Sequence, residues 1–274
     1  HTFLEEPVLV NDIYIVQAGT GTDQIGRFDI MVDTDHNAID SFTWQLIPIN
    51  NETCQKDEEM EQFITQYKQE TDKKYDRIVT RFTKCLTHPF RNQKTALGNL
   101  IADILKDSLG VDLMLFGSGE IRGYTLGPVV HYHDLVECLP YDEPVYMLKV
   151  TDAQLERMLR FILREEALTG EHTEFYQFSH GMRMVWDRKE HKFHELALDG
   201  KPIEEKQLYS ITVSKYHFMN LQEFLNISLE EAKENALPRV LATSCRDIIE
   251  EYMMVTQHLS RDVEGRLVII EYYK

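Results

Sequence analysis

Apolar and polar positions along the chain change period several times. Residues 13–17, 26–32 and 41–47 read as strands, separated by Gly-Thr-Gly-Thr-Asp and Asp-Thr-Asp-His-Asn turns. They look like the closing edge of a sheet whose other strands lie elsewhere. From residue 55 to about residue 76 the period is helical, with Met60, Phe63, Ile64 and Tyr67 on one face and charge on the others. A single-striped, charged helix after strands suits a domain connector, and a boundary is expected within it.

Beyond it, residues 77–84 are a strand candidate. Residues 94–109 follow as a helix that turns Leu97, Leu100, Ile101, Ile104 and Leu105 inward and stops at Gly110. Residues 111–116 are a strand-length apolar run, and they deliver the turn Gly117-Ser118-Gly119-Glu120. A strand at 145–150 precedes a helix opened by Thr151, with capping-box spacing to Gln154 and a stripe of Leu155, Met158, Leu159 and Ile162. Strands are expected at 182–187, 194–198 and 209–213, a helix at 244–258 and a last strand at 266–272. Asp199-Gly200 signals a turn, and the Lys-Pro after it argues for a loop rather than a minimal hairpin. Strands alternating with helices make the class α+β.

Charge narrows the partners. Forty-six acidic against 29 basic side chains leave a net charge of -17. That field repels polyphosphate chains and anionic membranes but does not prevent one small anion from binding in a local arginine pocket. Cys54, Cys85, Cys138 and Cys245 are widely spaced and suggest neither a disulfide framework nor a zinc site. No stretch has the length and apolarity of a membrane span. The first residue is His rather than Met, so the chain reads as a fragment or processed product.

Several motifs then occur in a telling order. Arg91 stands seven residues before Gly98-Asn99-Leu100-Ile101-Ala102-Asp103. Gly117-Ser118-Gly119-Glu120-Ile121-Arg122 follows a strand. Leu139-Pro140-Tyr141, the strand His180 through Asp187, and Gly265-Arg266-Leu267 come after. In this order the chain resembles the C-terminal domain of the 5'-nucleotidase family, which includes bacterial UDP-sugar hydrolases and ecto-5'-nucleotidases. The resemblance covers residues 78–274. Residues 1–50 resemble the last strands of that family's metallophosphoesterase domain, and residues 51–77 are the linker helix.

The resemblance implies a 5'-nucleotidase C-terminal mixed sheet with helices, preceded by edge strands of an incomplete sandwich. It implies the substrate-binding part of a phosphoesterase acting on nucleotides or related phosphate esters. Arg91 and Arg122 would hold phosphate, Tyr141 and Tyr216 would stack on the base, and Gly117 would line the phosphate loop. Divalent metals, Mn, Zn or similar, would belong to the parent protein, with His1 as a residual ligand. The missing metallophosphoesterase domain would be a partner, and the exposed edge strands a route to a homodimer.

Two departures bear on the base. The family's Gly-Gly-Asp-Gly loop is replaced here within residues 216–224, where Gln222 stands for the Asp, and Gly117 replaces the Asn of the first loop. These favour a second reading, a non-catalytic binding or assembly module that kept the fold. Glu120 would repel a phosphate if it faced one. His131 and His133 have a spacing that would put both rings on one face if the segment were a strand, but no evident acidic or Cys partner, and are expected to be ordinary histidines. The acidic run 57–61 reads as a solvated first turn of helix.

Overall fold

The computed structural model describes residues 3–19, 21–170 and 173–271. The chain forms two compact units, His1–Thr71 and Asp72–Lys274.

In the first unit, strands Gln24–Asp33 and Ala38–Pro48 pair antiparallel, and Val8–Val10 pairs with Ile13–Ile15. Tyr14, Phe28, Phe42 and Trp44 cluster on one side, with Tyr14 and Phe42 centroids 4.5 Å apart. Gly26 is required beneath this cluster, because a Cβ there would stand 2.3 Å from the Trp44 ring. No described residue of this unit is buried, and Val8, Leu9, Ile13, Ile25 and Met31 stay exposed. Two-stranded ribbons cannot enclose a core of their own. The helix Glu58–Tyr75 begins with Glu58, Glu59 and Glu61 in its first turn, behind Asp57, whose carboxylate accepts the Met60 N–H at 3.0 Å. The acidic run is therefore that helix's start, where its dipole favours negative charge.

The second unit is built on a five-stranded sheet in the order Tyr176–Phe178, Leu113–Gly117, Leu208–Ser214, Val145–Thr151, Arg239–Ala242. Leu113–Gly117 runs parallel to Leu208–Ser214 and antiparallel to Tyr176–Phe178. It is buried on both faces, as its continuous apolar run requires. Leu113 and Leu115 enter one core with Leu155, Met158, Leu159 and Ile162 of the helix Asp152–Ile162. Met114 and Phe116 enter the other, with Leu97, Leu100, Ile101 and Ile104 of the helix Ala96–Leu109. The alternation of side chains along one strand thus joins two cores. The helix Ala96–Leu109 is capped by Thr95, which accepts from the Gly98 N–H, and ends at Gly110 with φ +63°. The Thr151–Gln154 capping box forms as expected.

A four-stranded sheet has the order Lys201–Pro202, Lys192–Leu198, Met182–Asp187, Leu267–Ile270. Here one expectation is corrected. Leu198 pairs directly with Lys201, so Asp199-Gly200 is a minimal two-residue hairpin turn, with φ +49° and +77°. Pro202 lies on the sheet's outermost strand, where its missing N–H breaks no ladder bond. The last strand is Leu267–Ile270, and Tyr272 lies outside the described residues. The segment 216–224, expected as a loop, contains the helices Lys215–Met219 and Leu221–Leu225. Without the family's glycines nothing interrupts the helical preference.

Two of the motifs meet. Arg266 grips Asp103 with both terminal nitrogens, at 2.6 and 2.9 Å. Arg261 adds a contact at 2.7 Å and the His180 N–H another at 2.7 Å. Asp103 is 1% and Arg266 4% exposed, so this pair fastens the Ala96–Leu109 helix to the end of the chain from inside. Removing one member leaves a buried charge without its counter-ion. Asp103→Ala should therefore lose about 3–5 kcal/mol of stability in a denaturant titration. A loss below about 1 kcal/mol, as for an exposed pair, would contradict the assignment.

Candidate functional site

The turn after Leu113–Gly117 is a single 3-10 turn, Ser118–Glu120. Its backbone donors are used within the fold. The Gly117 N–H donates to Glu120 Oε1 at 3.1 Å, the Ser118 N–H to the Phe175 carbonyl at 2.8 Å and the Gly119 N–H to Glu174 Oε1 at 2.6 Å. Gly117 therefore does not sit where the sequence placed it, in a loop open to an anion. It is buried, and a Cβ there would stand 2.4 Å from His217 Nε2. Glycine at 117 makes room for a histidine.

Glu120 turns inward. Its Oε1 also accepts from Ser214 Oγ at 3.0 Å and lies 3.3 Å from His217 Nε2. The other His217 nitrogen meets the Tyr176 hydroxyl. Burial, with the like charges of Glu174 and Glu143 adding, pushes the Glu120 carboxyl up to about 8. Burial alone drives His217 down to about 4. Glu120 and His217 are thus both neutral near pH 7, in contact with each other inside the fold rather than facing a ligand.

Above the turn stand the cations. Arg91 donates from Nη2 to the Gly119 carbonyl at 2.9 Å. Arg122 donates from Nη2 to the Tyr141 hydroxyl at 2.7 Å, its guanidinium 5.2 Å from that ring's centre. Both are exposed, and neither forms an ion pair among the described residues. Both act on Glu174, whose carboxyl is raised first by burial and pulled back by the Gly119 N–H, Arg91 and Arg122. Arg91 and Glu174 meet at Gly119, and Arg122 acts on the same carboxyl from beside Tyr141.

The Arg91 loop is held from below. His88 contacts Thr95 Oγ1 at 2.8 Å and the Ser118 carbonyl at 3.1 Å, and burial lowers its pKa to about 4. Gln177 accepts the Thr95 N–H and donates to the Gln93 carbonyl and Ser118 Oγ. Its amide lies across Gly98, where a Cβ would come within 2.3 Å of it. That contact explains the glycine of the Gly98-Asn99-Leu100 motif. Beside the same loop is a cleft of about 410 Å³ lined by Phe90, Phe175, Val263 and Ile269, and Arg91 is not in its wall.

Tyr141 is 45% and Tyr216 51% exposed, so neither ring is spent on core packing. The helix Cys245–Val255 fixes the Tyr141 loop, with Ser244 Oγ on Asp142 at 2.7 Å and Arg246 on the Leu139 carbonyl at 3.2 Å. Glu143, two residues on, accepts the Tyr216 N–H at 2.8 Å and ties the two tyrosine segments together. Phe218 stacks on Tyr146, centroids 4.0 Å apart.

The histidine pair needs a correction. His131 ends the strand Val129–His131 and His133 lies in the helix Tyr132–Cys138, so the two are not on one strand. The strand-to-helix bend brings Asp134 between them, which spacing along a strand could not reveal. Glu174, Glu143, Tyr176 and His217 were also missed. None belongs to a motif, and only folding brings them to the turn. His1 lies outside the described residues.

Residues 77–227 match the sequence model of the family described as 5'-nucleotidase, C-terminal domain. The chain belongs to that family. Among curated proteins, endonuclease YhcR of Bacillus subtilis (strain 168) is 22% identical over 210 residues, 76% of this chain and 17% of that protein. The 5'-nucleotidase precursor of Thermus thermophilus superposes with a TM-score of 0.74 at 15% identity, over 98% of this chain and 54% of that one. The sulfate thiohydrolase SoxB of Thermus thermophilus does so at 0.66 and 17%, over 100% and 49%. The chain thus spans about half of these solved chains and under a fifth of the curated relative. At such identities the likeness is one of fold.

The buried acid and the buried imidazoles give opposite pH dependences. Folded Glu120 keeps its proton to about pH 8, whereas unfolded it releases it near 4.5. Its contribution is full below 4.5 and is lost as pH rises toward 8. Unfolded His88 and His217 take up protons near 6.5 but folded only near 4, so their contribution is present above 6.5 and lost as pH falls toward 4. In urea melts from pH 4 to 8, Glu120→Gln should flatten the decline above pH 6.5 and steepen the rise below it, where the loss from Glu120 offsets the gain from His88 and His217. An unaltered alkaline slope would contradict a buried, protonated Glu120.

Proposed function

We propose that this chain is the substrate-binding part of a metal-dependent phosphoesterase acting on nucleotides or related phosphate esters. The observation that supports the reading is that Arg91, on the Gly119 carbonyl, and Arg122, on the exposed Tyr141 ring, are both exposed, have no ion-pair partner among the described residues and both act on Glu174. Planar guanidinium forks match phosphate oxygens two at a time and keep their charge at any working pH, so they bind and orient without exchanging protons. Tyr141, with Tyr216 tethered through Glu143, offers apolar ring faces to a planar base. Glu174 cancels part of the arginine charge and sets how strongly a phosphate is held.

The site's own residues do not fit a metal centre: Glu120 is buried against Ser214 and His217, and Glu174 is committed to the Gly119 N–H. The divalent ions implied by the family, Mn, Zn or similar, would supply the hydrolytic chemistry from a metallophosphoesterase domain. The exposed apolar strands of the first unit are a natural surface for that domain or for a second copy of this chain to cover. The net charge of -17 favours a small anion over a nucleic-acid polymer as ligand.

The loss of the family's Gly-Gly-Asp-Gly loop, with the short helices Lys215–Met219 and Leu221–Leu225 in its place, favours a second reading, a non-catalytic binding or assembly module that kept the fold. The two readings differ in calorimetry with nucleoside monophosphates. The first predicts heat of binding, with Arg91→Ala and Arg122→Ala each costing about 1.5–3 kcal/mol, the worth of a charged hydrogen bond. Tyr141→Ala should cost about 1–3 kcal/mol with a nucleotide and nothing with inorganic phosphate. Glu174→Gln should tighten both. No heat with any phosphate ester, or affinities indifferent to both arginines, would remove this reading.

A further inference from the structure

We propose that His131, His133 and Asp134 form a divalent-cation site of zinc type, with Asp76 and the Tyr75 carbonyl as its outer support. His131 Nδ1 lies 3.3 Å from Asp134 Oδ2, and His133 Nε2 lies 3.1 Å from Asp134 Oδ1. One donor atom from each of the three residues falls within a 4.8 Å cluster. Ligands about 2.0–2.1 Å from a tetrahedral ion stand roughly 3.3 Å from one another, close to the spacing at which each imidazole nitrogen meets one oxygen of the Asp134 carboxylate. The imidazole rings are parallel within 9° and 5.4 Å apart. All three side chains are between 34% and 40% exposed, which leaves water free to complete the coordination.

The hydrogen-bond roles at His133 make the stronger argument. Its Nδ1 faces the Tyr75 carbonyl at 3.1 Å and Asp76 Oδ1 at 3.4 Å, and both can only accept. Nδ1 therefore carries the hydrogen, and in the neutral ring Nε2 presents a lone pair. Nε2 lies 3.1 Å from Asp134 Oδ1, another atom that can give a lone pair to a cation. Both are ligand atoms of the kind a zinc-like cation takes. A carbonyl or carboxylate behind the distal nitrogen is the arrangement that orients a metal-binding histidine and raises its basicity. Two imidazoles and one carboxylate select a zinc-like ion over magnesium or calcium, which prefer all-oxygen shells. Bound there, the ion would fasten Tyr75 and Asp76, where the helix Glu58–Tyr75 ends, to the strand-to-helix bend at 131–134.

This site is independent of the phosphate reading, since none of its residues belongs to the turn or its arginines. Zinc chloride titrated calorimetrically into the whole chain, first stripped with chelator and desalted, should show one saturable event and raise the melting temperature. Cobalt(II) in its place should give visible ligand-field absorption. His131→Ala with His133→Ala, and separately Asp134→Asn, should abolish all three signals. Asp76→Asn, which leaves the three ligands in place, should weaken zinc about 10- to 100-fold. His194→Ala, at the other cluster of possible donors, Asp187, Glu190 and His194, should change nothing. The absence of saturable zinc binding would overturn the proposal. So would binding that survives the double histidine variant or disappears with His194→Ala or His1→Ala. Melting of each metal-free variant at the wild-type temperature confirms that the fold is retained.

Discussion

The strand Leu113–Gly117 is buried on both faces, and most of the site follows from that constraint. A strand ending inside a protein delivers backbone N–H groups to a place where water cannot satisfy them, and each must find a partner. Here two carboxylates and one carbonyl do so: Glu120 takes Gly117, Glu174 takes Gly119 and the Phe175 carbonyl takes Ser118. The acids that could have spoiled an anion site are thereby put to structural use. Glu120 is drawn into the interior, where it loses its charge, and Glu174 is fixed at a known place beside Arg91 and Arg122.

The same constraint explains why the surrounding residues look like separate motifs in the sequence. Gly98 exists for Gln177, Gln177 steadies both Thr95 and Ser118, and Asp103, five residues after Gly98, is held by Arg266 from the other end of the chain. What reads as three short signatures is one hydrogen-bonded frame around the turn. Removing a buried member of such a frame strands its partners, so these positions tolerate little exchange.

The elements with strong periodicity were legible: the helices Ala96–Leu109, Asp152–Ile162 and Cys245–Val255, and the strands Leu113–Gly117 and Met182–Asp187. The short strand Tyr176–Phe178 and the helix Tyr132–Cys138 were not, because three to seven residues carry too little pattern to compete with their surroundings. At the candidate site, Arg91, Arg122 and Tyr141 were named through the motifs that resemble the family's, not from periodicity. Gly117 was named for the wrong reason, since its need for no side chain arises from His217, a hundred residues on. Glu174, Glu143 and Asp134 acquire their roles only when a bend or a neighbouring strand brings them in. One-dimensional spacing does not hold that information.

What remains is whether the field above Gly119 is used as its composition suggests. In a chain of net charge -17, Arg91 and Arg122 are exposed and have no ion-pair partner among the described residues. The most direct measurement is diffraction from crystals of this chain soaked with a nucleoside monophosphate. The account predicts phosphate oxygens within hydrogen-bond distance of both Arg91 and Arg122, with the base against Tyr141. Phosphate bound elsewhere at saturating ligand, or a turn left empty beside an occupied site, would contradict it.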